Sequence, residues 1–452
     1  MLHPGDLEVE ASKLGFVSFW AHPPAVREDV FARLRRAGGP TWFLMPRVRM
    51  TKSGGGAWAL VTHEQVSEAS RNAALFSSEP SANSFADLPR WLAPYFGSMI
   101  NMDDPRHGQI RRVVSRAFTP KVLAKMEQDL QRRATRIVDE IVADGPTDFV
   151  TQVAARLPIE VICDMMGIPE RHHQQIQAWT NSVLGYTDPE YNGNIPRVDD
   201  DLTTLDMVKS FTRFVRAGRG LFRLARELGE ERRRHPTDDL TSKLVTAQDG
   251  ETLTPQELGS FFILLVAAGN ETTRNALAHA LHLFTVHPDQ RRLLLEDFDG
   301  RIAGAIEEVV RHSTPVIQFR RNVTRDCEFH GRHLRKGDKV VLFYNSANRD
   351  ETVFEDPARF DILRKPNKHL GFGGPGPHFC LGANLARREL TVMLRELFTR
   401  LPDIRTVGEP DLLRSYFING IKHLSYDYTR PTGQSSVPAL DQQKETPWQA
   451  GR

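Results

Sequence analysis

The chain has 452 residues, of which 40% are hydrophobic and 26% are charged, and its formal net charge is +2. This composition is that of a globular protein with a large core, and the near-neutral charge argues against nucleic acid as a partner. No secretory signal is present, and no apolar run approaches the roughly 20 residues that a membrane span requires. We therefore expect a cytoplasmic protein with unpaired thiols.

The first half of the chain is predicted to be mainly helical after one β-hairpin. Residues 1–40 indicate an irregular arm and a short helix, and Thr41–His63 has β-prone runs on both sides of a glycine turn. A mostly helical pattern then continues to Pro315. Within it, Leu157–Pro169 predicts a buried helix that ends at a glycine and a proline, and the polar segment Gly185–Asp201 predicts a long exposed loop.

The longest predicted helix lies between Thr254 and Pro288. Thr254 and Glu257 form a capping box, and roughly 32 helical residues would extend about 48 Å. From Leu258 to Ala268 the helix has no charge on any face, so it must pass through the interior. The sequence AGNETT then places a glycine, an acid and two threonines in it. By itself this motif fits a helix that emerges at the surface as well as a ligand pressed against the helix.

The last part of the chain combines short strands, a loop and a helix. Phe319–Tyr344 predicts short strands with turns at HGR and KGD, and a helix follows Cys380. The tail, residues 431–452, has no apolar periodicity and is predicted to be disordered. Since no internal repeat or linker is visible, residues 1–430 are predicted to form a single domain, mainly α with a small β portion.

Cys380 stands at the start of that helix, behind the glycine- and proline-rich loop GFGGPGPHF. A helix N-terminus favours the thiolate, which can act as a nucleophile, a redox sulfur or an iron ligand. A nucleophile would need a base such as His378, and a redox pair would need a second cysteine nearby. A ligand to haem iron would need an open approach to the sulfur, which glycines provide. A buried structural role, expected for Cys163 and Cys327, fits this loop poorly.

This loop resembles the haem-binding loop of the cytochrome P-450 superfamily, the haem-thiolate monooxygenases. Three other motifs agree in order and spacing, namely AGNETT in the central helix, EEVVR, and ANRDETVFEDPARFD before the loop. The resemblance implies the fold of that superfamily, with the long helix over the haem and the cysteine loop on the proximal side. Phe372 stands one residue further from the cysteine than in the usual pattern. The matching loop residues are Phe372, Gly376, His378, Cys380 and Gly382.

The resemblance implies haem b as the cofactor and assigns residues to it. Cys380 would be the axial ligand of the iron, and Glu271 and Thr272 would deliver protons. Glu308 and Arg311 would form a buried structural ion pair, joined by Arg359 or Arg364. The other expected haem contacts are His107, Arg111, Ala268, Gly269, Arg321, Phe372, Gly376, His378 and Gly382.

The implied reaction uses O2 and electrons from a separate protein, because the sequence has no flavin or nicotinamide motif. The resemblance implies a ferredoxin and a ferredoxin reductase as partners. Basic residues near the cysteine loop and on the segment after Met102 are candidates for docking the ferredoxin. They are Arg112, Arg116, Lys121, Lys125, Arg387 and Arg388.

The expected substrate is a hydrophobic small molecule, since apolar segments should form the walls of the cavity. YFGSMI, ICDMMGIP and INGIK are similar to actinobacterial enzymes that hydroxylate the terminal carbon of methyl-branched lipids, whose sister groups act on the cholesterol side chain. The alternatives are a tailoring oxidase of terpenoids or secondary metabolites, a peroxide-driven peroxygenase, and a haem sensor without turnover. The expected wall residues are Phe261, Ile263–Ala267, Thr314–Phe319, Ser415–Lys422 and Trp91–Asp104.

Overall fold

The computed structural model describes residues 13–45, 55–85, 87, 90–185, 187–192, 204–246 and 252–430. The predicted tail, residues 431–452, and much of the predicted Gly185–Asp201 loop lie outside the described residues. The described chain is mostly helical and contains one five-stranded sheet and three two-stranded pairs, which confirms a mainly α fold with a small β portion. No helix among the described residues is long and apolar enough to cross a membrane.

The N-terminal part forms two helices and one edge of the five-stranded sheet. The predicted hairpin is confirmed, since strands β1 (Thr41–Met45) and β2 (Gly55–Leu60) pair antiparallel with Trp42 opposite Trp58. Next to β2 in the sheet come β7 (Lys339–Phe343) and β4 (Gln318–Val323), and β3 (Phe76–Ser77) forms the other edge, so strands from distant parts of the sequence meet in it. The elements of this part are α1 (Val17–Ala21), α2 (Pro24–Ala37), β1 (Thr41–Met45), β2 (Gly55–Leu60), α3 (His63–Arg71) and β3 (Phe76–Ser77).

Helices make up the middle of the chain. The predicted buried helix is confirmed as α8, which ends at Gly167 in the left-handed conformation. Near its start, the predicted exposed loop instead forms a short helix, Pro189–Asn192. Asp188, just before this helix, is fully buried, and its carboxylate accepts the backbone N–H of Arg414. These helices are α4 (Ala93–Phe96), α5 (Arg106–Ser115), α6 (Pro120–Lys125), α7 (Glu127–Asp144), α8 (Arg156–Met166), α9 (His173–Leu184), α10 (Pro189–Asn192), α11 (Thr204–Arg234) and α12 (Leu240–Val245).

Helix α13 (Pro255–Val286) is the long central helix that the sequence predicts. Its 32 residues begin after the capping box of Thr254 and Glu257, which is present in the structure. It packs against α4, α8 and α11 and against two helices of the C-terminal part, α15 (Phe298–Ser313) and α17 (Ala383–Arg400). Apolar side chains from these helices surround it in the largest hydrophobic core of the molecule. Burial of this helix therefore fixes the relative positions of most other helices.

The C-terminal part brings the second half of the sheet and the cysteine loop together. Its strands confirm the predicted short strands, with tight turns at Gly331 and Gly337, whose φ angles are 74° and 90°. The elements are α14 (Pro288–Glu296), α15 (Phe298–Ser313), β4 (Gln318–Val323), β5 (Cys327–Phe329), β6 (Arg332–Leu334), β7 (Lys339–Phe343), α16 (Tyr344–Ala347), α17 (Ala383–Arg400), β8 (Arg405–Thr406), β9 (Asp411–Leu412), β10 (Ile421–His423) and β11 (Tyr426–Asp427).

The predicted ion pair of Glu308 and Arg311 is confirmed and is fully buried on α15. Two parallel hydrogen bonds of 2.7 and 2.8 Å join the guanidinium to the carboxylate. The side chain of Arg364 joins the pair at 3.2 Å from Glu308, whereas Arg359 contributes its backbone carbonyl to Arg311. Removing one partner would leave a buried charge, at a cost of about 3–5 kcal/mol.

A buried carboxyl group links α17 to α13. Glu389 is 1% exposed, and its side chain hydrogen-bonds that of Thr273. Its Oε1 atom has no hydrogen-bond partner among the described residues. Burial raises the pKa of Glu389 to about 8, and the bond from Thr273 opposes this shift only in part. The neutral acid is therefore the form that the fold favours.

We predict that Glu389→Gln stabilises the protein at alkaline pH. Because the pKa is raised on folding, the wild type is most stable below the unfolded pKa of about 4.5. It loses stability as the pH rises from there to about 8, and the loss is complete above that value. A neutral amide has no such penalty. Thermal unfolding at a series of pH values should show a wild-type deficit that grows across this window, and a constant difference would contradict the prediction.

Candidate active site

The cysteine loop is a compact turn held by its own backbone. Cys380 donates its N–H to the carbonyl oxygen of Phe372 at 2.9 Å, and Gly373 donates to Leu370 at 2.9 Å. Gly373 has a φ of 89°, which favours glycine. The guanidinium of Arg387 lies over the ring of Phe372, at 4.4 Å from its centroid. The loop thus presents Cys380 directly before α17.

Most loop glycines serve packing rather than an open approach to the sulfur. A Cβ atom at Gly376 would lie 2.2 Å from the carbonyl oxygen of Ser70, and one at Gly374 would lie 2.4 Å from its hydroxyl. The glycine at 376 is therefore explained by close contact with α3 and by its φ of 147°. Gly382 differs, because a Cβ atom there would meet nothing within 4 Å. Of these three glycines, only Gly382 leaves open space beside the cysteine.

The sulfur of Cys380 experiences opposing influences. Desolvation by the surrounding protein raises the pKa of its thiol, although part of the residue's surface is exposed. The backbone N–H groups of Gly382 and Ala383 and the guanidinium groups of Arg111 and Arg387 act in the opposite direction. The net shift is upward, which differs from the expectation of a free thiolate at this helix start. A metal ion would remove the proton outright.

Two histidines and two arginines lie near the loop on the side of α5. The rings of His107 and His378 are in contact, with centroids 4.2 Å apart and planes tilted by 39°. Burial lowers the pKa of His378 to about 3, and its ring nitrogens are engaged by the hydroxyl of Ser78 at 2.9 Å and by the backbone of Met102. Its expected haem contact would have to replace one of these bonds. His107 instead keeps a buried Nε2 atom without a partner in the described chain.

The guanidinium groups of Arg111 and Arg321 have no carboxylate partner among the described residues. Arg111 donates to the carbonyl oxygen of Phe379 at 2.6 Å. Arg321, which is 5% exposed, donates to the carbonyl oxygen of Arg320 at 2.8 Å. A buried guanidinium such as that of Arg321 lowers the stability of the fold when no counter-ion is near. The planar set of N–H groups of an arginine matches the two oxygens of a carboxylate.

These residues fit a haem group. Its two propionates would supply the carboxylates that Arg111 and Arg321 lack and an acceptor for Nε2 of His107. Cys380 offers a thiolate sulfur, which is a suitable iron ligand. The open space at Gly382 leaves room for a flat ring at the start of α17. The donor set therefore agrees with the cofactor that the sequence implies.

Helix α13 lines a cavity with one of its faces. Ala268 and Thr272 line this cavity, and the Thr272 hydroxyl donates to the carbonyl oxygen of Ala268 at 2.7 Å. The Cβ position of Gly269 points instead at Ile162 of α8, 2.6 Å from its Cδ1 atom. Close helix packing thus explains this glycine. Its expected haem contact would involve backbone atoms only.

Glu271 lies on a different face from Thr272. It is 2% exposed and forms an ion pair with Arg274, which also donates to the amide of Asn181 at 3.0 Å. Burial raises the pKa of Glu271, and Arg274 opposes the shift. One carboxylate oxygen, Oε1, has no partner among the described residues. Glu271 is therefore held beside α9, behind the threonine that faces the cavity.

The cavity has about 640 Å³ of space between its walls, part of it open to solvent. One face of α13 lines the cavity, with residues at helical spacing. The expected wall residues Phe261, Leu265 and Val266 instead belong to the hydrophobic core. The predicted wall segments 91–104, 314–319 and 415–422 each contribute residues to the lining of the cavity. Asn83, Val183, Leu184 and Ser260 also line the cavity, although the sequence pattern does not predict them there. The lining residues are Asn83, Phe96, Ser98, Ile100, Val183, Leu184, Ser260, Ile263, Leu264, Ala267, Ala268, Thr272, Val316, Phe319, Phe417 and Ile418.

The basic residues expected to dock a partner divide into two groups. Arg387 forms an ion pair with Glu307 at 2.6 Å, and Arg388 forms one with Glu127. Their charges are therefore partly neutralised. The remaining four side chains are at the surface, with Arg112 on α5, Arg116 in the turn after it, and Lys121 and Lys125 on α6.

Comparisons with known proteins show the family to which this chain is similar. A family model described as cytochrome P450 matches residues 51–401. A methyl-branched lipid omega-hydroxylase of Mycobacterium tuberculosis is 45% identical over 425 residues, which are 93% of this chain and 95% of that protein. A steroid C26-monooxygenase of Rhodococcus jostii is 38% identical over 412 residues, which are 90% of this chain and 83% of that protein.

A solved structure also superposes closely on this chain. It is the Mycobacterium marinum cytochrome P450 CYP268A2 in complex with pseudoionone, with a TM-score of 0.84 and 37% sequence identity. The superposition covers 92% of this chain and 98% of that chain.

We predict that Cys380→Ala abolishes the red-shifted absorption band of the ferrous carbon monoxide complex, because that band requires a thiolate ligand. Cys327→Ser is the matched control, since Cys327 is a free cysteine in β5, away from the loop. Absorption spectra of both variants after reconstitution with haem check the prediction. Survival of the band in the first variant would show that another residue binds the iron.

We predict that Thr272→Ala keeps substrate binding but separates electron consumption from product formation. Its hydroxyl is the group on α13 that can hold a proton donor at the cavity, and such groups contribute roughly 100-fold or more. Product formed per electron pair should fall at least about tenfold, with hydrogen peroxide released instead. Thr272→Ser retains a hydroxyl and should restore most of the coupling. Equal coupling in all three proteins would contradict this role.

Proposed function

This chain belongs to the cytochrome P450 family of haem-thiolate monooxygenases, and on this premise we propose that it hydroxylates the terminal carbon of a methyl-branched lipid, isoprenoid or sterol side chain. The observation that carries the proposal is the apolar cavity that reaches Ala268 and Thr272 on α13. The names of the omega-hydroxylase and steroid C26-monooxygenase relatives support the same class of reaction.

The reaction needs haem, which, when bound, activates O2 with two electrons and two protons and supplies one oxygen atom to a C–H bond. Cys380 would hold the iron, and Arg111, Arg321 and His107 would hold the propionates. Thr272 would then orient a proton donor at its Oγ atom. The paired Glu271 behind it would supply protons after exchanging its contact with Arg274 for one nearer the cavity.

The walls of the cavity would select the carbon that reacts. Terminal C–H bonds are intrinsically less reactive than inner ones, so terminal attack requires that the chain be held end-on with its inner carbons shielded. Phe319, Phe417 and Ile263 belong to a wall that can exclude water and shield these carbons. A branched end would fill such a pocket better than a straight one, since each additional buried methyl group contributes about 0.8 kcal/mol.

Electrons would come from a ferredoxin that binds the face formed by α5 and α6. The exposed side chains of Arg112, Arg116, Lys121 and Lys125 give this face positive charge. Arg111 of the same helix donates to the carbonyl oxygen of Phe379, so the face lies close to Cys380. An acidic partner would be steered there by charge, which makes the electron-transfer rate sensitive to salt.

We predict that methyl-branched acids, alcohols or sterol side chains are hydroxylated at a terminal methyl group, and that linear chains of equal length bind several-fold more weakly. Matched branched and linear substrates should be incubated with ferredoxin, its reductase and O2. Mass spectrometry then locates the hydroxyl group.

Two outcomes would contradict this function. Products hydroxylated mainly within the chain would favour a tailoring oxidase of terpenoids or secondary metabolites. Turnover with hydrogen peroxide alone, at a rate equal to that with ferredoxin, would favour a peroxygenase. Incubation without ferredoxin and without peroxide is the control for both.

A further inference from the structure

The cavity contains one amide group whose oxygen has no hydrogen-bond partner. Asn83 lines the cavity, and its Oδ1 atom is buried without a partner among the described residues. Buried carbonyl oxygens are almost always satisfied in folded proteins. An unpaired amide in the wall of a substrate cavity therefore calls for a partner supplied by the ligand.

The backbone on both sides of Asn83 is held rigidly. The N–H group of Ala82 donates to Oδ1 of Asn101, and its carbonyl oxygen accepts from the N–H group of Arg320, both at 2.7 Å. The buried guanidinium of Arg320 also donates to the carbonyl oxygens of Ser81 at 3.0 Å and Phe85 at 2.8 Å. These bonds fix the loop before and after Asn83. The backbone that carries the amide is thus held in place beside the cavity, as a specificity group requires.

Two of the other three polar side chains of the cavity are already bonded to the backbone of α13. The hydroxyl of Ser260 donates to the carbonyl oxygen of Glu257 at 3.2 Å, and that of Thr272 is committed to Ala268. The hydroxyl of Ser98 is the remaining polar group. None of the described lining residues is charged. A carboxylate bound here would lack a counter-ion, which is unfavourable in an apolar cavity.

We propose that Asn83 determines substrate specificity by binding a neutral oxygen-bearing group, so that the enzyme prefers methyl-branched alcohols to the corresponding free acids. The proposal rests on the proposed function and narrows its substrate class. A substrate hydroxyl would donate to Oδ1 of Asn83. The carboxylate of an ionised acid cannot donate to this atom, and the neutral Nδ2 group of the same amide does not balance its charge.

Three probes with one branched carbon skeleton test the proposal. They are farnesane, hexahydrofarnesol and the carboxylic acid of the same skeleton, titrated at a pH where the acid is ionised. The wild type should bind the alcohol about five- to tenfold more tightly than the hydrocarbon, which is the contribution of one hydrogen bond. It should bind the acid less tightly than the alcohol.

Asn83→Leu should remove the difference between alcohol and hydrocarbon while leaving the affinity for the hydrocarbon within about twofold of the wild type. Ser260→Ala is the matched control, because it lines the same cavity but its hydroxyl is already bonded to the backbone. It should keep the wild-type ratio of affinities. Unchanged hydrocarbon binding also shows that a variant is folded.

An unchanged alcohol-to-hydrocarbon ratio in Asn83→Leu would overturn the proposal, as would tight binding of the acid by the wild type. The site of hydroxylation on farnesane is measured in parallel. Terminal products together with a failed affinity test would refute the role of Asn83 and leave the proposed function intact. In-chain products would refute the proposed function whatever the affinities are.

Discussion

The position of the reactive cysteine depends on the buried ion pair of Glu308 and Arg311. The segment from 348 to 382 has no regular secondary structure, so its backbone groups need partners from elsewhere. Arg311 donates to the carbonyl oxygens of Asn348 and Pro357, both at 2.9 Å, and Glu308 accepts the N–H group of Asp361 at 2.9 Å. The charged pair thus anchors the segment that ends in the cysteine loop. Complete satisfaction of both partners makes two buried charges tolerable there.

Helix α13 serves structure and chemistry on separate faces. Gly269 allows close contact with α8, and the pair of Glu271 and Arg274 faces α9. Thr272, one residue further, lies in the cavity wall. Successive residues in a helix are separated by about 100°, so a short motif can place a packing residue, a buried acid and an exposed hydroxyl in three directions. The acid therefore stands behind the hydroxyl that it is proposed to supply.

Charge is unevenly distributed around the site. Arg111 and Arg321 are cationic and, together with the ring of His107, suit the propionates of haem, whereas the described lining of the cavity is uncharged. This separation has a physical reason, since cations in the cavity would be costly to bury beside apolar substrates. Within that lining, the amide of Asn83 and the hydroxyl of Ser98 are the polar groups that can distinguish one apolar substrate from another.

The sequence by itself determined the features that depend on local pattern. The capping box and length of α13, the helix that ends at Gly167 and the N-terminal hairpin follow from capping, glycine and alternation rules, and Cys380 was recognisable from its motif. Tertiary structure decided which side chains meet. The packing of Gly376 against Ser70, the contact of Arg274 with Asn181 and the place of Asn83 in the cavity depend on segments far apart in sequence. Spacing along the chain carries no information about such contacts until the chain is folded.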